Sequence, residues 1–152
     1  MAKRILLAGT LLLCSMTLLS RAAAAQTVII PFRLEDNLLI VNVFVDGRTA
    51  TVILDTGSQS TFLTPEAVGL SNVIGLNNLH SNARIATGLS RNAAISLTQN
   101  SSIFNQPVTV IRLDDLNHRM RTKFNGILGQ DFLRQFRTFT IDYRSKTVVF
   151  SR

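Results

Sequence analysis

The sequence predicts a mostly β domain, a barrel or folded sheet carrying one or two short helices. Three observations carry that expectation. The apolar segments are short, and several alternate with the two-residue period of a half-buried strand. Turn residues separate them at close intervals, with Asp46-Gly47 as the strongest hairpin signal. No internal repeat, low-complexity tract or heptad pattern competes with this reading.

The first segment is expected to lie outside the domain. Lys3 and Arg4 form a basic start, Ile5 to Leu19 is apolar, and Ala23-x-Ala25 supplies the small residues of a secretory cleavage site. Residues 1–25 thus read as a signal peptide and residues 26–152 as the mature domain, secreted or periplasmic. If cleavage fails, residues 5–20 would anchor the chain to a membrane. A lipid attachment at Cys14 is disfavoured, because Leu13 stands where a small residue is needed. Lys3, Arg4 and Arg21 leave with the leader, so 13 basic residues face 9 acidic ones and the net charge falls from +7 to +4. The sole cysteine, Cys14, leaves too, so the mature chain needs no disulfide framework. A chain of this size can still bury a core sufficient to fold.

Along the mature chain, "TVIIPFRL" reads as a first strand, with Pro31 marking an edge or a bulge. "LLIVNVFV" and "RTATVIL" form a hairpin about Asp46-Gly47, with Val41, Val43 and Val45 on one face. Thr64-Pro65-Glu66 has the chemistry of a helix start, which Gly69 ends. Ser71 to Asn82 is polar and loop-like, and "ARIAT", Gly88 and "NAAISL" form a hairpin with a flexible tip. "QPVTVIRL" is another strand. "NGILGQDFLRQF" is a buried strand end, Gly129 and a short helix, and "TFTIDY" with "TVVF" closes the chain as a hairpin around Arg144-Ser145.

The chemistry gathers at "VILDTGSQSTF". An oily strand delivers Asp55 into a turn of small and hydroxyl residues, and burying a carboxylate there is costly unless it is hydrogen-bonded or serves a function. Asp-x-Gly alone is a common turn cap, the Asp accepting backbone amides and the glycine relaxing the backbone. The run of apolar residues into Asp55, and the hydroxyls of Thr56, Ser58, Ser60 and Thr61 after it, suit a carboxylate held in a tight loop.

"VILDTGSQSTFLT" resembles the active-site motif of aspartic proteases, and "NGILGQDFLRQF" resembles the second signature of their retropepsin-like branch. The two motifs stand in the family's order, "IDY" falls in a closing hairpin, and the similarity spans roughly Leu38 to Phe150. The resemblance implies a retropepsin-like acid-protease barrel that hydrolyses peptide bonds in a peptide or protein substrate with water as nucleophile. Two aspartates share one proton, one acting as general base while the other polarises the scissile carbonyl. No cofactor and no metal are implied. Only one Asp-Thr-Gly is present; Asp114, Asp115, Asp131 and Asp142 lack the following glycine. Activity therefore implies a homodimer in which each copy supplies Asp55.

The resemblance assigns further roles. Thr56 corresponds to the hydroxyl that ties the two active-site loops across the dimer axis, and Gly57 lets the backbone approach the carboxylate. Ser58 stands where retroviral enzymes often have Ala. A hydroxyl donated from it to Asp55 would favour the charged form, which points to an acidic optimum. Ile127, Leu128 and Gly129 correspond to the support beneath the loop, a role hardly distinct from core packing. "RIATGLSRNAAI" is the candidate flap, with Thr87 and Gly88 near its tip, although it lacks the aromatic that many relatives carry and serves equally as a plain surface hairpin.

The remaining signals are weak. His80 and His118 have no partner at ligand spacing, so no metal site is expected. Arg119, Arg121 and Lys123 read as a solvated loop, and without interleaved aromatics they do not suggest nucleic-acid binding. Asn100-Ser101-Ser102 matches a glycosylation sequon, meaningful only in a eukaryotic source. The rival function is a non-catalytic peptide- or protein-binding domain on the same fold, since fold alone does not establish activity.

Overall fold

The structure, a computed structural model, describes residues 26–70 and 88–152. Among the described residues nine strands form one sheet: β1 (Thr27–Glu35), β2 (Leu38–Val45), β3 (Arg48–Leu54), β4 (Phe62–Leu63), β5 (Leu89–Ser96), β6 (Phe104–Val110), β7 (Gly126–Leu128), β8 (Thr138–Asp142) and β9 (Thr147–Ser151). Two helices, α1 (Asp114–Arg119) and α2 (Gln130–Leu133), flank β7 in sequence. The strand order is β3-β7-β4-β6-β5-β2-β1-β9-β8, and an additional β2–β3 pairing closes six of the strands into a barrel. The other three, β1, β9 and β8, continue from β2 as an antiparallel ribbon.

Local chemistry explains the turns. Asp46 and Gly47 adopt φ of +48° and +77°, the mirror-image turn whose twist suits a two-residue hairpin between Val45 and Arg48. Asp36-Asn37 makes a second such turn, joining β1 to β2. Val41, Val43 and Val45 are all buried, as the alternation predicts, while Asn42 is exposed. Pro31 stands where β1 changes partner: Thr27–Pro31 pair with β9 and Phe32–Glu35 with β2. A residue without an N–H is tolerated at such a break in the ladder.

Burial falls on both faces of the sheet. The main core takes Val41, Val52, Leu54, Leu128 and the rings of Phe104, Phe132 and Phe150. A second cluster of Ile40, Ile53, Ile111, Leu113, Phe124 and Ile127 is packed by Leu116 and Met120 of the α1 segment. Residues of β3 and β7 divide between the two, so these strands are oily on both sides.

Two expectations need correction. Thr64-Pro65-Glu66 starts a single turn and no helix. The Thr64 hydroxyl accepts the Ala67 N–H at 3.4 Å as a cap would, but Gly69 turns left-handed at φ +69° before a second turn can form. The basic stretch read as a solvated loop begins inside α1. Acidic Asp114 and Asp115 occupy the first turn of that helix, and His118 and Arg119 the last, which complements its dipole. Among the described residues no helix is long and apolar enough to cross a membrane. The expected leader, residues 1–25, and the loop from Ser71 to Asn82 lie outside them.

Candidate active site

Strand β7 lies between β3, to which it runs parallel, and β4, to which it runs antiparallel. The chain leaves β3 at Leu54, arches over the end of β7, and returns as β4. Asp55 sits at the start of that arch. Its N–H donates to the Leu128 carbonyl at 3.0 Å, extending the β3–β7 ladder by one bond. Its Oδ1 accepts the Gly57 N–H at 2.8 Å. Oδ2 makes no hydrogen bond within the described residues. Asp55 is half-buried, while Thr56 and Gly57 are exposed beside it.

Glycine is required at Gly129 by contact: a Cβ there would lie 2.4 Å from the Ser60 carbonyl oxygen. Beneath the arch, Leu128 is fully buried and Ile127 nearly so. The arch also caps α2. Ser58 and Gln59 carbonyls accept the N–H groups of Gln130 and Asp131 at 2.8 and 3.2 Å, and the Gln130 side chain donates to the Thr56 carbonyl at 2.6 Å. The arch is thereby held at both its start and its middle.

The Ser58 hydroxyl departs from expectation. It donates to the Ser60 carbonyl at 2.8 Å, inside the arch, and not to Asp55. The short turn satisfies it locally, as is common for serine in loops. Of the flap residues, Thr87 lies outside the described residues. Gly88 precedes β5 in a packed position: a Cβ there would fall 2.4 Å from the Val110 carbonyl oxygen, so it is no open tip. The following strand pairs with β6 across a hairpin and touches β2.

The sequence reading missed the group that holds the arch. Thr61 is fully buried, and its hydroxyl donates to Asp131 Oδ1 at 2.6 Å. The Thr61 hydroxyl oxygen also accepts from the Gly129 N–H at 3.2 Å and the Gln106 side chain at 3.3 Å, so its single donor and both acceptor sites are used. Asp131 Oδ2 accepts the Thr61 N–H at 2.8 Å, and Gln135 donates to Gln106. One hydroxyl therefore joins the arch, β6, β7 and α2. No glycine follows Asp131, so it carries no motif of its own; its place two residues after Gly129 is the available signal.

Shifted carboxyls lie elsewhere. The Thr122 hydroxyl, helped by the Thr122 and Arg121 amides, holds Glu35 below the usual carboxylate range. The Ser145 amide, with its hydroxyl and the Arg144 amide, does the same for Asp142 in the β8–β9 turn. No group of three or more metal-ligating side chains gathers among the described residues; His118 is exposed, and His80 lies outside them. Two concavities stand out. One of about 390 Å³ lies beside Thr56, between α2 and β8. The larger, about 520 Å³, surrounds Arg48 and Lys123 at the opposite end of β3 and contains no part of the Asp55 loop.

Comparison with known proteins agrees with this geometry. The family described as aspartyl protease matches residues 41–132, which include the whole arch and all but the last residue of the helix behind it. No curated protein matches significantly. A retropepsin-like aspartic protease from Rickettsia conorii has a similar fold, with a TM-score of 0.55 at 18% identity over 84% of this chain and 90% of that one. The retroviral protease-like domain of Ddi1 from Leishmania major aligns at 17% identity and a TM-score of 0.43, over 74% of this chain and 91% of that one. With its family match running from β2 through β3, the Asp55 arch and β7 into α2, the chain belongs to the aspartyl protease family.

Proposed function

We propose that the protein is an aspartic endopeptidase whose active unit is a homodimer, each copy contributing Asp55. The observation that carries this is the presentation of Asp55. It is fixed by its own N–H and by Gly57, with Oδ2 unengaged among the described residues and Thr56 and Gly57 exposed alongside. A carboxylate serving only as a turn cap would need no such two-sided anchorage from β7 and α2.

Two such carboxyls close together hold one proton between them, because both cannot ionise at short range. The ionised one takes a proton from water, whose oxygen attacks the carbonyl carbon of the peptide bond. The protonated one gives its proton to the carbonyl oxygen. The tetrahedral species collapses as a proton passes to the departing nitrogen, leaving a carboxylic acid and an amine. Only Asp55 supplies the Asp-Thr-Gly carboxyl, so a lone copy lacks half the machinery. Residues 1–25 direct export, and the enzyme works on peptides or proteins outside the cytoplasm, an assignment checked by sequencing the N-terminus of the exported protein.

The deciding experiment is peptide cleavage by the wild type and by Asp55→Asn across pH 3–7. The amide is nearly isosteric but cannot act as the base, so the variant should fold and be inactive. Full activity in that variant overturns the mechanism. A folded, dimeric wild type that binds peptides without cutting them at any pH identifies a non-catalytic binding domain.

A further inference from the structure

We propose that α1 and the loop after it choose the substrate. Leu116 and Met120 wall an apolar floor on the Asp55 side of the sheet, and Arg33, Arg119 and Arg121 beside it favour peptides with an acidic side chain about three or four residues from the bond that is cut. The proposal rests on the reading that Asp55 cleaves peptides, and it names which peptides.

The first observation is the face that Asp55 shares. Side chains alternate along a strand, so Asp55 projects from the end of β3 on the same side as Ile53. Ile53 stands in register with Ile40 on β2 and Ile127 on β7, and Ile127 with Phe62 at the far foot of the arch. All of these belong to the second apolar cluster, in which Phe62 and Leu38 are only partly buried. The floor next to the carboxyl is therefore apolar and incompletely covered.

The second observation is the apolar stripe of α1. Leu113, Leu116 and Met120 follow one another at helical spacing and pack on this floor. No residue of α1 itself is fully buried, and Leu116 and Met120 keep part of their surface exposed. The stripe walls the floor and leaves apolar surface for a substrate side chain.

The third is charge. Continuing the β2–β3 register sets Leu38 across from Asp55, and Leu38 pairs in turn with Glu35 on β1. Glu35 accepts the Arg121 and Thr122 N–H groups and the Thr122 hydroxyl, while Arg33 donates to the Thr122 hydroxyl oxygen at 3.5 Å. The loop carrying Arg121 is thus pinned two strand spacings from Asp55, about 10 Å, or about three residues of extended peptide. Arg119 stands one helical turn after Leu116, on the flank of the same stripe. Arg33, Arg119 and Arg121 are exposed, and none of them forms a salt bridge among the described residues. Because α1 keeps its acids in the first turn, the end that meets β1 is cationic. Arg33, Arg119, Arg121 and Lys123 stand there against Asp36 and Glu35, whose oxygens are already engaged. A carboxylate on the substrate complements that excess. Each copy in a dimer brings one such edge, so the preference falls on both sides of the bond.

The test measures kcat/KM at about pH 6, where peptide carboxylates are ionised, on peptides alike except for glutamate or lysine at those outer positions. The wild type should favour glutamate by about tenfold or more, and the ratio should shrink with added salt. Arg119→Glu with Arg121→Glu should reverse the preference with unchanged circular dichroism, since both side chains are exposed. Arg33→Glu, on a different element, should weaken it on its own. Met120→Ala opens the wall and should raise kcat/KM for tryptophan over leucine beside the cleaved bond by about fivefold or more. If the wild type cleaves glutamate and lysine peptides alike, or the reversed variant keeps the wild-type preference, the charged edge is wrong while the Asp55 reading stands. An unchanged tryptophan-to-leucine ratio in folded Met120→Ala removes α1 from the apolar wall. A wild type that cuts no peptide at any pH overturns the Asp55 reading and this proposal together.

Discussion

Replacing Thr61 by valine tests the claim that one buried hydroxyl holds the Asp55 arch. Valine keeps the shape and deletes the oxygen, so the change is almost purely one of hydrogen bonding. Three bonds are lost: to Asp131 at 2.6 Å, from Gly129 N–H at 3.2 Å and from Gln106 at 3.3 Å. Asp131 is exposed, so water recovers much of its loss, and that bond counts for about 1 kcal/mol. The Gly129 N–H is buried beneath the arch, and leaving it unpaired costs about 1–3 kcal/mol. The sum, about 2–4 kcal/mol, is a large share of the roughly 5–15 kcal/mol typical of a folded domain. The protein should still fold, with a melting temperature lower by about 6–15 °C at fixed protein concentration. Denaturant titration gives the free energy directly, and Thr61→Ser, which restores the hydroxyl, should recover most of it. A double-mutant cycle with Asp131→Asn should show coupling of about 1 kcal/mol or more. A Thr61→Val protein as stable as wild type, with full peptidase activity, would refute the reasoning.

Other expectations follow from the same geometry. Gly129→Ala drives a Cβ into the Ser60 carbonyl 2.4 Å away, which should cost about 1–3 kcal/mol and lower kcat by displacing the arch. Ser58→Ala should leave the acidic limb of the pH–rate profile unmoved, because its hydroxyl serves Ser60 and not Asp55; an upward shift would show that the hydroxyl turns to the carboxylate during turnover. Specific activity should fall on dilution as dimers dissociate, and a monomeric species cleaving at full rate would contradict the shared dyad. Glu35 is held below its ordinary value of 4.5, so its contribution to stability is present above that pH and disappears as the pH falls through the lowered value. Glu35→Gln should therefore be less stable than wild type at neutral pH, with the gap closing in acid; equal unfolding midpoints at both pH values would remove Glu35 from the account.

Local signals were readable where the chain folds on itself nearby. The β2–β3 hairpin follows from alternation and a two-residue Asp46-Gly47 turn, and the Asp55 motif declares itself within a few residues. What stayed hidden depends on distance or on brevity. Thr61 and Asp131 meet across 70 positions, and the sole local hint is the place of Asp131 two residues after Gly129. Helix α1 is only six residues long, has no side-chain cap, and spreads its apolar partners Leu113, Leu116 and Met120 among charges. Thr64 has the chemistry of a cap, but a cap cannot create a helix where Gly69 leaves room for one turn. Gly88 looked like a flexible tip because sequence cannot distinguish a glycine chosen for freedom from one chosen for lack of a side chain.

The parallel pairing of β3 with β7 also bears on how the molecule is made. Thr51 on β3 bonds to Asn125, 74 positions later, and the Asp55 amide bonds to Leu128. Loops of that span close slowly, since the entropy of closure is lost before any contact repays it. While the chain is being synthesised, the Asp55 loop lacks its anchors until Leu128 and α2 have followed. On the proposed reading, an enzyme assembled in this order is harmless to its own synthesis. The shape of the Asp55 loop depends on the last third of the polypeptide, so any fragment truncated before α2 should fail to cleave peptides.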